Sequence, residues 1–265
     1  MRKTLLLIMP WWMLIASASA AGDLHQPFDA LLKQHVVTIS PHSTAVDYAA
    51  LTRDQEQLNA YLSALAAVDK GQYAQWTPRA QLAFLINAYN VHTLALIVKH
   101  DEKIGSIRDI GGFFSSAWEQ PVAFLLGKKR TLDEIEHGMI RGQQKGCDGF
   151  NEPRIHFAVN CASIGCPALR EEAYRGGKLD QQLEDQTRRF LADTSRNRMA
   201  GDVLQVSKIF DWYKADFTAN GQSLTGFFRQ YAEAMQLSES QQTRLQNHTI
   251  EIEFLDYDWS LNATR

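Results

Sequence analysis

Thr77-Pro-Arg-Ala-Gln-Leu-Ala-Phe-Leu-Ile-Asn-Ala-Tyr-Asn-Val-His-Thr-Leu-Ala-Leu-Ile-Val98 decides the fold class. Thr77 is a good N-cap, and Pro78 suits the first helical position, where its missing N–H costs nothing. From Leu82 to Val98 the residues are apolar nearly all round. A helix of that kind is buried on every side. Asn87, Asn90 and His92 interrupt the apolar run and disfavour a membrane span.

Shorter helices surround this one in the reading. Leu24 to Val37, Leu58 to Val68, Leu179 to Ala192, Lys208 to Asp216, Leu224 to Met235 and Glu239 to Gln246 carry helical spacing. Thr131-Leu-Asp-Glu134 is a capping box that opens another helix to about Arg141. Pro121 to Leu126, Arg154 to Asn160, Val203 to Val206 and Thr249 to Leu255 read as strands. Helices outnumber strands and do not alternate with them. The expectation is α+β, a predominantly helical single domain around a small mixed or antiparallel sheet.

The first twenty residues have the three parts of a secretory signal. Arg2 and Lys3 are basic, an apolar run reaches Ile15, and Ala16-Ser-Ala-Ser-Ala20 offers a cleavage site. The expectation is residues 1–20 as signal peptide and 21–265 as one globular domain, periplasmic or secreted. Losing Arg2 and Lys3, and no acid, moves the net charge from −3 to −5. That balance excludes a basic nucleic-acid binder. No transmembrane segment is expected after cleavage. No cofactor motif is present, and no cofactor or metal is expected.

Several polar residues stand in apolar surroundings. On a wheel stepping about 100° per residue, Leu132, Ile135, Met139 and Ile140 share one face. Glu136 falls inside that face, His137 on its flank, and Arg141 further round. A carboxylate there must be paired or hydrogen-bonded. It serves either a structural ion pair or a site. Asn87 and Asn90, three apart, are either core amides tying loops to the helix or groups that orient a histidine or a substrate.

Arg154-Ile-His-Phe-Ala-Val-Asn-Cys-Ala-Ser-Ile-Gly-Cys-Pro167 is the densest chemistry. As a strand, 154–160 would put Ile155, Phe157 and Val159 on one face and His156, Ala158 and Asn160 on the other. Cys161 and Cys166 admit three readings. One is a reactive thiol with a histidine base. Another is a Cys161–Cys166 disulfide, favoured by export. The third is a cysteine–histidine metal site, for which C-x4-C lies at the edge of zinc spacing. Cys147 makes the cysteine count odd.

Five segments together resemble the domain-of-unknown-function 547 family of bacterial exported and plant proteins. They are Phe84-Leu-Ile-Asn-Ala-Tyr-Asn90; Thr131-Leu-Asp-Glu-Ile-Glu-His-Gly138 with Arg141; Ile155-His-Phe-Ala-Val-Asn-Cys161 with Gly165-Cys-Pro167; Phe210-Asp-Trp-Tyr213 with Asp216-Phe217; and Tyr257-Asp-Trp-Ser-Leu-Asn262. The resemblance implies no known activity. It does select Asn87, Asn90, Glu136, His137, His156, Cys161 and Cys166, and it leaves Cys147 outside.

Two functions follow as expectations. The first is a non-catalytic binding or envelope protein with a structural Cys161–Cys166 disulfide. The second is a thiol-dependent hydrolase or acyltransferase of papain-like logic. Cys161 or Cys166 would be its nucleophile and His137 or His156 its base. Glu136 would orient the base, and Asn87, Asn90 and Arg141 would bind or orient substrate. Both histidines precede the cysteines, the reverse of the papain order.

Overall fold

The computed structural model describes residues 24–100, 104–112 and 115–264. The expected signal peptide, residues 1–20, lies outside them. Among the described residues helices predominate over three small sheets, an α+β architecture as expected.

Helix α1 (Gln26–His35) leads into an antiparallel hairpin of β1 (Val36–Ser40) and β2 (Ser43–Val46). Reading the first helix on to Val37 missed this hairpin. Val36-Val37-Thr38-Ile39 is a β-branched run, which prefers an extended backbone. Three helices follow: α2 (Tyr48–Arg53), α3 (Gln55–Ala66) and α4 (Lys70–Ala74). Helix α5 (Pro78–Val98) starts where the Thr77-Pro78 pair requires, and Thr77 Oγ1 accepts from the Ala80 N–H. It is long and apolar enough to cross a membrane, but nearly all of it is buried inside the protein.

β3 (Ala123–Leu125) and β4 (Lys128–Arg130) make a second antiparallel hairpin around Gly127, whose φ of 75° lies in the left-handed region. The Thr131/Glu134 capping box forms reciprocally, at 2.9 and 3.0 Å. The turn it opens, Glu134–Ile140, is a wide π-helical one. Beyond it lie α6 (Leu179–Leu191), β5 (Arg198–Ala200), β6 (Val203–Val206), α7 (Ile209–Trp212) and α8 (Lys214–Phe217). The chain ends with α9 (Leu224–Gln230), α10 (Glu239–Gln246) and β7 (Glu251–Phe254). Strand β6 is central in a mixed sheet, antiparallel to β5 and parallel to β7.

The strand read at 154–160 is corrected. Pro153–Phe157 is a 3₁₀ turn, with Pro153 at its start and Glu152 capping the Arg154 N–H at 3.1 Å. The alternation of Ile155, Phe157 and Val159 does not report an inside and an outside. Every residue from Ile155 to Asn160 is buried. Buried on all sides, a short apolar run carries no period that separates strand from turn.

Two apolar clusters fill the interior. One packs α1 to α5 around Phe84, Tyr89 and Ile97. The other packs Phe157 and Phe190 against Phe210, Phe217, Phe227 and Phe228. Phe157 belongs to the second cluster while its neighbours Ile155 and Ala158 belong to the first, so the clusters meet at this turn.

Candidate functional site

A cavity of about 270 Å³ opens where the two clusters meet. The π-helical turn lends it Glu136 and His137, its N-cap Asp133 adds a second carboxyl, and the 3₁₀ turn lends it His156. Cys161 and Cys166 line it from the loop beyond.

That loop is held by asparagines. The Asn160 N–H donates to Asn90 Oδ1 at 2.8 Å, and Asn90 Nδ2 donates to the Ala158 carbonyl at 2.9 Å. Asn160 Nδ2 in turn bonds the Pro167 carbonyl, closing the turn on itself. Asn87 does the same service for Tyr174, with bonds of 2.8 and 2.9 Å to its carbonyl and N–H. Asn87 and Asn90 therefore use their amides on backbone groups, and neither lines the cavity. Buried amides satisfied in this way tie chain segments together.

The C-terminal segment lies along the cysteine turn. Ile164 and Gly165 donate to the Ser260 and Asp258 carbonyls at 2.8 Å each, and Asn262 donates to the Ala162 carbonyl at 3.0 Å. This contact brings Tyr257 to the sulfurs. Its hydroxyl stands 3.1 Å from both Cys161 Sγ and Cys166 Sγ. The two sulfurs lie at disulfide distance, with Cα atoms 6.3 Å apart, inside the range a disulfide spans. The Cys161 N–H points at Cys166 Sγ from 2.9 Å.

Glu136 is 4 % exposed, as its place on the wheel suggested. The hydroxyls of Tyr89 and Tyr213 interact with its carboxylate. Burial pushes both phenols up, and the Glu136 charge pushes them further, so both remain donors. The Tyr213 ring stacks on His156 at 3.8 Å and lies under the Arg141 guanidinium.

His156 is anchored from behind. Its Nε2 donates to Asp216 Oδ2 at 2.7 Å. Burial pulls Asp216 upward, but the bonds from His156 and Arg141 outweigh it and hold the carboxyl well below the usual range. Burial also lowers the His156 pKa, more than Asp216 raises it. The neutral ring then carries its proton on Nε2, and Nδ1 is a buried acceptor without a hydrogen-bond partner among the described residues. Arg141 donates from Nη1 to His137 Nδ1 at 2.7 Å, so that ring too presents a lone pair there. Arg141 thus bonds His137 directly and is linked to His156 through the shared Asp216 carboxylate. Among the described residues no histidine nitrogen is hydrogen-bonded to either sulfur.

Residues 73–191 match the family model described as Protein of unknown function, DUF547. The DUF547 match covers Asn87, Asn90, Glu136, His137, Arg141, His156, Cys161 and Cys166. It ends before Tyr213, Asp216 and Tyr257, which complete the same cavity or anchor its histidine. No curated protein and no solved structure matches the chain.

Tyr89, Trp118, Trp212, Tyr213, Asp216, Tyr257 and Trp259 join the cavity or its anchors without a local pattern in the sequence that marks them as site residues. All but Trp118 lie inside the five resembling segments, which was the available signal. Nothing in the sequence around Trp118 marks it.

Proposed function

We propose that this is an exported binding protein whose cavity takes a small ligand, with Cys161–Cys166 as a structural disulfide in the cavity wall. The observation that carries this reading is the engagement of the sulfurs. They lie at disulfide distance from each other, Tyr257 contacts both, and among the described residues no imidazole nitrogen is hydrogen-bonded to either. A nucleophile needs its base within hydrogen-bond reach. A disulfide in this place needs only an oxidising compartment, which the signal-like N-terminus would supply.

Thiol titration and mass mapping of protein purified from the export compartment test the reading. The expected result is one reactive thiol, Cys147, and a linked Cys161–Cys166 peptide. Three free thiols in ligand-competent protein would overturn it.

One observation favours the thiol hydrolase or acyltransferase as a second reading. His156 lines the cavity with both cysteines, Asp216 orients its Nε2, and its Nδ1 has no donor. In a reduced protein such a histidine is suited to deprotonate a thiol. This reading predicts a thiol of depressed pKa after reduction, whose alkylation rate at pH 6 falls in His156→Asn. An ordinary thiol pKa in both proteins excludes it.

A further inference from the structure

We infer that the cavity takes an organic cation, an alkyl- or arylammonium group. The inference rests on the ligand-binding reading above and names the ligand class.

The wall is aromatic. Trp118, Trp212, Tyr213, Tyr257 and Trp259 all line the cavity. The charges in the lining are all of one sign. Asp133 and Glu136 are acidic side chains, and among the described residues no lysine or arginine belongs to the lining. Of the two lining histidines, His137 stands with its Nε2 3.7 Å from Asp133 Oδ1. His156 is kept neutral by burial, and His137 accepts from Arg141. Arg141, which lies over the Tyr213 ring, is occupied by the Asp216 carboxylate at 2.6 and 3.0 Å.

Ring faces backed by carboxylates attract cations, because the negative face of the ring and the carboxylate act together where water is excluded. The protein already places its own cations on rings of this wall. Arg108 lies over Trp259 at 5.2 Å and Arg141 over Tyr213 at 4.9 Å. His156 belongs to the same lining, and its buried Nδ1 has no hydrogen-bond partner among the described residues. A ligand bearing both positive charge and N–H groups answers both features. An anion would meet Glu136 and Asp133, and a neutral hydrocarbon would leave Glu136 uncompensated by ligand. The volume equals roughly nine waters at about 30 Å³ each, room for a single ring with a short aminoalkyl arm.

Calorimetric titration of the full oxidised protein with benzylammonium, benzyltrimethylammonium, benzyl alcohol and benzoate tests this. Both cations should bind about tenfold or more tightly than benzyl alcohol. Benzoate should not bind. Glu136→Gln and, independently, the half-exposed Trp212→Ala should each weaken benzylammonium by about tenfold and benzyl alcohol by distinctly less. Trp212 is 44 % exposed, so its replacement leaves the core intact if Glu136→Gln misfolds. Equal affinity for benzyl alcohol and the cations overturns the charge assignment and leaves the binding cavity standing. Failure of every compound to bind overturns the cation assignment too, and a wider screen of neutral sugars and amides that also fails takes the binding reading with it.

Discussion

His156 Nε2 lies 2.7 Å from Asp216 Oδ2, and Arg141 grips the same carboxylate at 2.6 and 3.0 Å. One carboxylate therefore serves a buried ring and a nearly buried guanidinium. Asp216→Ala leaves Arg141, whose side chain is 11 % exposed, without its counter-charge. Breaking a buried pair from one side costs about 3–5 kcal/mol. Urea denaturation should show a loss of that order, with Asp216→Asn intermediate because it keeps an acceptor. A loss under about 1 kcal/mol would mean the pair behaves as an exposed one.

Acid should destabilise this protein well above the carboxylate range. Burial lowers His25 to about 4, with Arg175 contributing, and lowers His92 to about 4. Their pKa values start from 6.5 in the unfolded chain. A lowered histidine adds stability that is complete above the unfolded value and lost as pH falls toward the folded value. Each of these groups contributes on the order of 3 kcal/mol between neutral pH and pH 4. The unfolding free energy should therefore decline steeply from pH 6.5 to 4, before Asp216 titrates. His92→Phe should flatten that decline. A flat profile over this window would contradict the buried, neutral histidines.

The Cys161–Cys166 loop is short, so its contribution to stability is modest. Loop closure of this length is worth about 2 kcal/mol. The Cys161→Ser, Cys166→Ser double variant and the reduced native protein should lose that amount equally in urea. Cys147→Ser should change nothing in either state. A reductant effect that survives in the double variant would point to a different pairing.

Gly165 is required by the ring of Tyr257. A Cβ there would sit 2.9 Å from Tyr257 Cε2 and Cζ and 3.0 Å from the Asp258 carbonyl oxygen. Gly165→Ala should cost about 1–3 kcal/mol as overpacking. It should also shift the fluorescence of Trp212 and Trp259, whose rings touch Tyr257. Unchanged stability and emission would mean that the C-terminal segment yields freely.

Local signals were legible where a few neighbouring residues suffice. Thr77 and Pro78 start α5, and Thr131 with Glu134 opens the next turn, because a cap is satisfied within three residues. Glu136 was legible as a polar residue on an apolar face, and it is buried even though the turn is π-helical. The 154–160 turn was misread for the opposite reason. Its surroundings come from α5 and α6, and a run buried on every side loses its period.

The amino-acid sequence by itself determined a helix-rich α+β chain, a core helix at Pro78–Val98, and a set of polar residues too costly to bury without partners. Those features rest on propensity, capping and periodicity, which act over a few residues. The tertiary structure alone decided who the partners are. His156 meets Asp216 across 60 positions, and Cys161 meets Tyr257 across 96. Contacts that distant leave no period in the chain, because they form only when the two clusters pack and the C-terminal segment lies down on the cysteine turn. The aromatic wall exists only after that packing, and so does its negative lining.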